Sequence, residues 1–413
     1  MIPQNFIESL AGLPGLDTSA FLAAMEREPA VSIKINKRKF KSFEEIGYGA
    51  LTPVKWCESG FYLPERPKFT LNPLLHAGVF YVQDASSMIH ETIVGSLRKR
   101  GLLPDGLLAL DLCAAPGGKT TSIINALDDT SFIVANEVVP QRARILRENL
   151  VKWGFPSVMV ASSPTSVFAT LGETFDLVAV DAPCSGEGMM RKEEEARAQW
   201  GPGLVKQCAS LQREILSDAA DALKPGGILI YSTCTFNRCE DEENVAWLVE
   251  ELGLEPVDME FPEEWGIGEA IESQYPALRF MPHLTRGEGL FAAVLRKPGH
   301  LIPGDRVRML QKMRKKLRLL LDGVPASTVK GKTELPAPEL PLFLVPEVNR
   351  FPMADVDKET ALRFLRHEAI QLPPEAPRGF TVISYSDHPL GLAKNIGNRA
   401  NNLYPAEWRI RNL

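Results

Sequence analysis

The chain has 413 residues, of which 45% are hydrophobic and 24% charged, with a net charge of −6. That length divides into two to four domains that can each bury a core, and the acidic balance excludes a uniformly basic nucleic-acid binder. No run approaches the ~18 apolar residues of a membrane span, and MIPQNFIESL lacks a basic region followed by a long apolar one, so a cytoplasmic protein without a membrane partner is expected.

The charge is uneven. Residues 301–413 hold 18 Lys+Arg against 12 Asp+Glu, a surplus of 6, so the first 300 residues carry −12. Such asymmetry suggests a catalytic body with a basic appendage. The six cysteines, at 57, 113, 184, 208, 234 and 239, form no C-x-x-C pair, and the six histidines make no metal-binding cluster. Reduced thiols and no metal centre are therefore expected.

In chain order, residues 1–95 read as an ancillary α+β domain: a helix over FIESLAGL and FLAAMERE, then the alternating strand VSIKINKRK. Its basic end, Lys37, Arg38 and Lys39, is either a solvated strand terminus or a phosphate contact. Short strands and loops follow, then VFYVQ, with Asp84 as N-cap of an amphipathic helix.

From 96 to 298 apolar strands alternate with helices: LLALDL, FIVANE, VMVA, FDLVAVDAP, GGILIYSTC and GLFAAVLRK. Near-continuously apolar strands separated by helices imply a parallel-rich, doubly wound α/β sheet whose ligands bind at the carboxyl ends of the strands. Residues 299–345 read as a separate basic helix and linker, with seven basic residues from Arg306 to Arg318. In residues 346–413 a helix is expected over 353–372 and short strands over 379–411.

The first α/β strand runs into Cys113, Ala114, Ala115, Pro116, Gly117, Gly118 and Lys119 and then a helix. Glycines at such a turn let the backbone approach a ligand, and the helix N-terminus offers free N–H groups to it. Glu137 ends the second strand, 19 residues after Gly118, where a carboxylate accepts hydrogen bonds from ribose hydroxyls. Together they favour an adenosine-containing cofactor.

Two thiols complete the pattern. Asp181-Ala182-Pro183-Cys184 follows FDLVAV, and Cys234 follows the next strand in YSTCT. A buried cysteine is usually a small hydrophobe, but two at the ends of adjacent strands facing a cofactor loop suit methylation of cytosine C5. That carbon becomes nucleophilic only after a thiolate adds to C6, and a nearby Asp can stabilise the charge moved onto the ring. The base must leave its stack to reach such a pocket.

DLCAAPGGKTT, DAPCSGEGMMRK and STCTFNRCEDEENV resemble, in order, the cofactor, Pro-Cys and Thr-Cys motifs of the Sun-type (NSUN) RNA cytosine-C5 methyltransferases. YVQDASSM and GLAKNIGNRANNLYP extend the likeness to an RsmF-like bacterial ribosomal RNA branch. The resemblance implies a Rossmann-like class I methyltransferase domain, an N-terminal RNA-binding or ancillary domain, a C-terminal PUA-like RNA-binding domain, S-adenosylmethionine as cofactor, and RNA as substrate. It implies that Cys234 adds to C6, that Cys184 assists release, and that Asp181 lies between cofactor and base. The 113–119 loop and Glu137 would hold the cofactor.

One departure stands out: where the family has an Asp beside the adenine, this chain has VASSPTSVF, so Ser162 or Ser163 takes the place, with Ser163 taken as the contact. Small-subunit ribosomal RNA is the expected substrate, with transfer RNA or a non-catalytic ribosome assembly role as alternatives. A monomer is expected. Cys239 is expected to cap the next helix, Arg191 and Lys192 to meet RNA or solvent, and Arg142 and Arg144 to be surface charges.

Overall fold

The computed structural model describes residues 2–330 and 333–411. Near the N-terminus four short antiparallel strands, β1 (Ser32–Ile35), β2 (Thr52–Val54), β3 (Cys57–Tyr62) and β4 (Phe80–Val82), lie in the order β2-β3-β1-β4. The central sheet comprises β5 (Leu108–Asp111), β6 (Phe132–Asn136), β7 (Val158–Ala161), β8 (Phe175–Asp181), β9 (Leu223–Thr233), β10 (Glu255–Pro256), β11 (Leu278–Phe280), β12 (Leu290–Arg296) and β13 (Leu319–Asp322). Strands β5 to β9 are parallel, in the order β9-β8-β5-β6-β7. They are apolar on both sides because helices such as Gly118–Ala126, Pro140–Trp153 and Pro202–Ala222 cover both faces. The order reverses at β5, whose neighbours are β6 and β8, and a crevice opens there beyond the carboxyl ends.

The sheet continues past 298, contrary to the boundary expected there. Strand β13 pairs antiparallel with β7, and the basic helix Arg306–Lys316 buries Met313 against the same layer. Its basic residues are partly committed within the protein. Lys312 Nζ donates to the Leu171 carbonyl at 2.6 Å, Lys316 Nζ to Thr170 O at 3.1 Å, and Arg306 to Thr130 O, while Arg314 pairs with Asp322 at 2.6 Å. A lysine's apolar stem can lie along a helix while its ammonium caps a neighbouring turn.

At the basic end of β1, Lys37 is exposed and pairs with Glu58 and Glu91 at 2.8 Å, while its two neighbours are committed within the protein. Arg38 donates to Ile124 O at 2.9 Å and Leu127 O at 2.7 Å, and pairs with Asp129. Lys39 is enclosed by the carbonyls of Ala77, Lys152 and Leu342 at 2.8, 2.6 and 2.7 Å, and its burial lowers its pKa to about 7. One ammonium thus joins the N-terminal region, the α/β domain and the segment before the C-terminal sheet.

The C-terminal strands Met353–Asp355, Gly379–Tyr385, His388–Asn395 and Ala400–Asn402 form their own sheet. The helix expected over 353–372 spans only Lys358–Leu365. Residues 353–355 pair parallel with 382–384, Asp357 caps the helix by accepting from Thr360 N at 2.8 Å, and His367 at φ 67° ends it. His388 Nε2 lies 3.0 Å from Glu45 Oε2, and Trp408 underlies Arg147 and Lys152, each 5.7 Å from a ring centroid.

Candidate active site

At the crevice Gly117 adopts φ 112°, and the helix Gly118–Ala126 starts immediately after it. A side chain at Gly118 would meet Gln83 and Tyr81 at 3.4 Å, so the loop lies against the N-terminal region. Its carbonyls are gripped from outside. Arg142 Nη2 donates to Ala115 O at 3.0 Å, Asn149 Nδ2 to Pro116 O at 2.8 Å, and the buried Lys34 Nζ to Gly118 O at 2.8 Å. Sequence reading missed Lys34 and Asn149, and Arg142, exposed as expected of a surface charge, also serves the loop. The signal was present: residues 142 and 149 are two turns apart on one helix, hence on one face.

Arg142 also pairs with Glu137 at 3.2 Å, and Glu137 Oε1 accepts from Val139 N at 2.9 Å. Asp111 Oδ2 accepts from Thr120 Oγ1 at 2.6 Å, but its Oδ1 is buried without a partner, and burial pushes its pKa up to about 7. Ser162 Oγ is also buried and unpartnered.

Ser163 departs from the expected cofactor contact. Its hydroxyl accepts from Arg318 N at 2.9 Å, and its backbone exchanges hydrogen bonds with Asn136 at 3.0 Å. Pairing of β13 with β7 draws this serine to the sheet edge. The residues nonetheless fit an adenosine-containing group: β5, β6 and β7 end in the Asp111 carboxylate, the Glu137 carboxylate and the Ser162 hydroxyl, two of which offer buried polar atoms that lack partners.

At the ends of β8 and β9 the two thiols meet, with Cys184 Sγ and Cys234 Sγ 3.3 Å apart. The hydrogen bond with Cys234, reinforced by burial, holds the Cys184 pKa well above the ordinary thiol value. Cys184 therefore keeps its proton at neutral pH, and either sulfur can act as donor to the other across this contact. Gly188 N donates to Cys234 O at 2.7 Å, and a Cβ on Gly188 would stand 2.8 Å from that oxygen, so only glycine permits this approach.

Asp181 Oδ2 pairs with Lys119 Nζ at 2.8 Å, linking the cofactor loop to the thiols. Burial disfavours the Lys119 ammonium, but the charge of Asp181 outweighs it and raises the lysine's pKa. Asp181 Oδ1 accepts from Ser232 Oγ at 3.1 Å, and His90 Nε2 lies 3.2 Å from the same hydroxyl. Burial lowers the His90 pKa to about 4, so the ring is neutral at pH 7. Ser232 opens the STCT motif, although no role of its own was legible there, whereas His90 carried no motif that a sequence reading could single out.

Other expectations fail here. Arg191 is only 7% exposed and forks onto Glu288 at 2.8 and 2.6 Å, besides donating to Ala24 O and Gly287 O. It ties the first helices to the α/β domain, whereas Lys192 meets solvent as expected, with its ammonium 3.4 Å from the same carboxylate. Cys239 packs in the small apolar cluster around Phe21 and Phe236, and the following helix has Asp241 at its N-cap position.

Family comparisons agree with this layout. Residues 2–85 match the N-terminal domain of 16S rRNA methyltransferase RsmF, residues 103–296 match 16S rRNA methyltransferase RsmB/F, and residues 352–410 match the methyltransferase RsmF PUA domain. Ribosomal RNA small subunit methyltransferase F of Enterobacter sp. (strain 638) is 30% identical over 98% of this chain and 95% of its own. Its counterpart in Serratia proteamaculans (strain 568) is 31% identical over 98% and 96%. A solved methyltransferase homolog from Pyrococcus horikoshii superposes with a TM-score of 0.59 at 27% identity, covering 71% of this chain and 94% of that one. The chain belongs to the RsmB/F family of 16S rRNA methyltransferases and is an RNA methyltransferase whose methyl donor is S-adenosylmethionine.

Proposed function

We propose that the substrate is a cytosine of 16S ribosomal RNA and that the two thiols divide the work at its C5–C6 bond. The observation that carries the reading is the 3.3 Å separation of Cys184 and Cys234 beside the Asp181–Lys119 pair. S-adenosylmethionine, when bound, supplies an electrophilic sulfonium methyl group. Asp111, Glu137, Ser162 and the 113–119 loop would hold it.

Cys234 Sγ adds to C6 as the thiolate, and the electron pair of the C5–C6 bond becomes available at C5 for bond formation to the methyl carbon. Asp181, fixed by Lys119 and Ser232, accepts from the exocyclic amine and so orients the base, and the Lys119 ammonium beside it offsets the negative charge that gathers on the ring. After methylation C5 gives up its proton to a water molecule, the C5–C6 double bond re-forms, and the Cys234 thiolate leaves. Cys184, within hydrogen-bond reach of Cys234, assists this last elimination.

The relatives' names support a small-subunit substrate, and we infer an enzyme that acts as a monomer in the cytoplasm. Incubation of small-subunit RNA with labelled donor tests it. Cys234→Ala gives no transfer while donor binding persists, and Cys184→Ala yields a protein–RNA adduct that survives a denaturing gel. Full turnover in Cys234→Ala overturns the assigned nucleophile, and absence of adduct in Cys184→Ala overturns the release role. Labelling of transfer RNA instead would overturn the substrate.

A further inference from the structure

Each thiol-bearing loop sends a carboxylate into the other. Glu187, three residues after Cys184, accepts from Phe236 N at 2.6 Å and Asn237 N at 3.1 Å, on the loop that follows Cys234. Trp200 Nε1 at 3.0 Å and Asn237 Nδ2 at 2.9 Å complete its donors. Glu240, six residues after Cys234, accepts from Ser185 N at 3.0 Å and from Ser185 Oγ, next to Cys184. Gln212 Nε2 at 2.7 Å and Asn237 Nδ2 at 2.9 Å complete its set. Both carboxylates are fully buried.

The Asn237 amide gives one hydrogen to each carboxylate, and its oxygen accepts from Glu240 N at 2.9 Å. Every group in this crossing faces a partner of the right kind. Four donors per carboxylate match its roughly four lone-pair sites, whereas an amide would turn an NH₂ group toward donors. Both carboxylates are closed off from solvent and act through the loops they fix, while the charge of Glu240 also helps to raise the Cys184 pKa.

We propose that Glu187 and Glu240 are positioning residues that form a reciprocal carboxylate clasp, holding Cys184 and Cys234 at the separation from which both act on one base. The proposal rests on the two-thiol reading above and assigns each carboxylate a different consequence. Loss of Glu240 frees the Cys184 loop, so elimination slows and the RNA adduct accumulates. Loss of Glu187 frees the Cys234 loop, so addition slows and no adduct forms.

The test uses the full chain with Glu187→Gln, Glu240→Gln and Asn237→Ala, the last removing the shared amide from a half-buried position. Single-turnover methyl transfer and adduct on a denaturing gel are read with small-subunit RNA, beside Cys184→Ala and Cys234→Ala. Phenylarsine oxide supplies an RNA-independent reading: one arsenic bonds both sulfurs, the two thiol protons leave with its oxygen as water, and binding strength reports how well the sulfurs are held together.

Expected are adduct with Glu240→Gln, none with Glu187→Gln, and arsenical affinity lowered about tenfold in both as the thiols' effective concentration falls, with donor binding retained. Wild-type turnover and arsenical affinity in either variant overturn the clasp. So does a loss of activity that only follows a parallel loss of donor binding. Should the glutamine variants fail to fold, Asn237→Ala decides: weakened arsenical binding supports the clasp, and unchanged binding overturns it. Adduct in Cys184→Ala with none in Glu240→Gln refutes the clasp and leaves the two-thiol reading standing. Weakened arsenical binding without adduct in Cys184→Ala refutes that reading alone.

Discussion

The two halves of the catalytic edge are built with opposite polarity. On the cofactor side, cationic and amide side chains (Arg142, Asn149 and Lys34) hold the carbonyl oxygens of the 113–119 loop, and two acceptors, Asp111 Oδ1 and Ser162 Oγ, are left without partners. On the thiol side, carboxylates hold backbone N–H groups, and each oxygen of Glu187 and Glu240 is matched. A site that binds and releases a molecule every turnover keeps polar atoms in reserve for it. A site whose own atoms must stay aligned spends all of them internally.

The sharpest way to break this comparison is at the residue joining the halves. Asp181→Asn weakens the ion pair to Lys119 and removes an anion from the base pocket, and kcat is expected to fall about 10²–10³-fold. A fall below about tenfold, measured under single turnover, would mean that the two halves work independently.

Asp111→Asn tests whether the cofactor side stores an electrostatic cost. A carboxyl with a folded pKa of about 7, above its ordinary value of 3.8, holds its proton more tightly folded than unfolded. Folding therefore loses free energy as pH rises from about 4 to about 7, and the penalty is full above that window. The asparagine variant should melt at nearly the wild-type temperature at pH 4 and gain stability on the order of a few kcal/mol by pH 8. A pH-independent difference would count against a buried, strained carboxylate.

Smaller effects separate the two serines. Ser162→Ala should weaken S-adenosylmethionine binding about fivefold, the equivalent of roughly 1 kcal/mol for one hydrogen bond. Ser163→Ala should leave that affinity unchanged and lower the melting temperature, because Arg318 N loses its acceptor. Calorimetric titration of both variants distinguishes them. Last, only part of the basic helix is free for RNA. The exposed Arg308 and Lys315, replaced together by Ala, should reduce the slope of log affinity against log salt by about 1.5, whereas all seven basic residues acting on phosphate would predict a far steeper dependence.

Much of the fold was legible because its signals are local. Continuous apolar strands alternating with amphipathic helices announce a parallel α/β sheet, and Gly117, Asp181, Cys184 and Cys234 sit where strand ends must converge. The basic clusters misled for an equally physical reason. A lysine bound for solvent and one bound for a ring of carbonyls, such as Lys39, have the same side chain and similar neighbours in sequence. The helix over 353–372 was overdrawn because apolar residues at helical spacing could not show that 353–355 would find a parallel partner at 382–384.

By itself the sequence determined the kind of sheet, the edge at which chemistry occurs and the residue types placed there, since these follow from periodicity and from motifs contiguous along the chain. Only the tertiary structure decided that β13 closes the sheet, that Ser163 is spent on Arg318 while Ser162 is not, and that Glu187 and Glu240 cross between the thiol loops. Those outcomes depend on which donors and acceptors meet across sequence separations of 49 residues or more. Hydrogen-bond matching at such range is settled by packing rather than by any local preference.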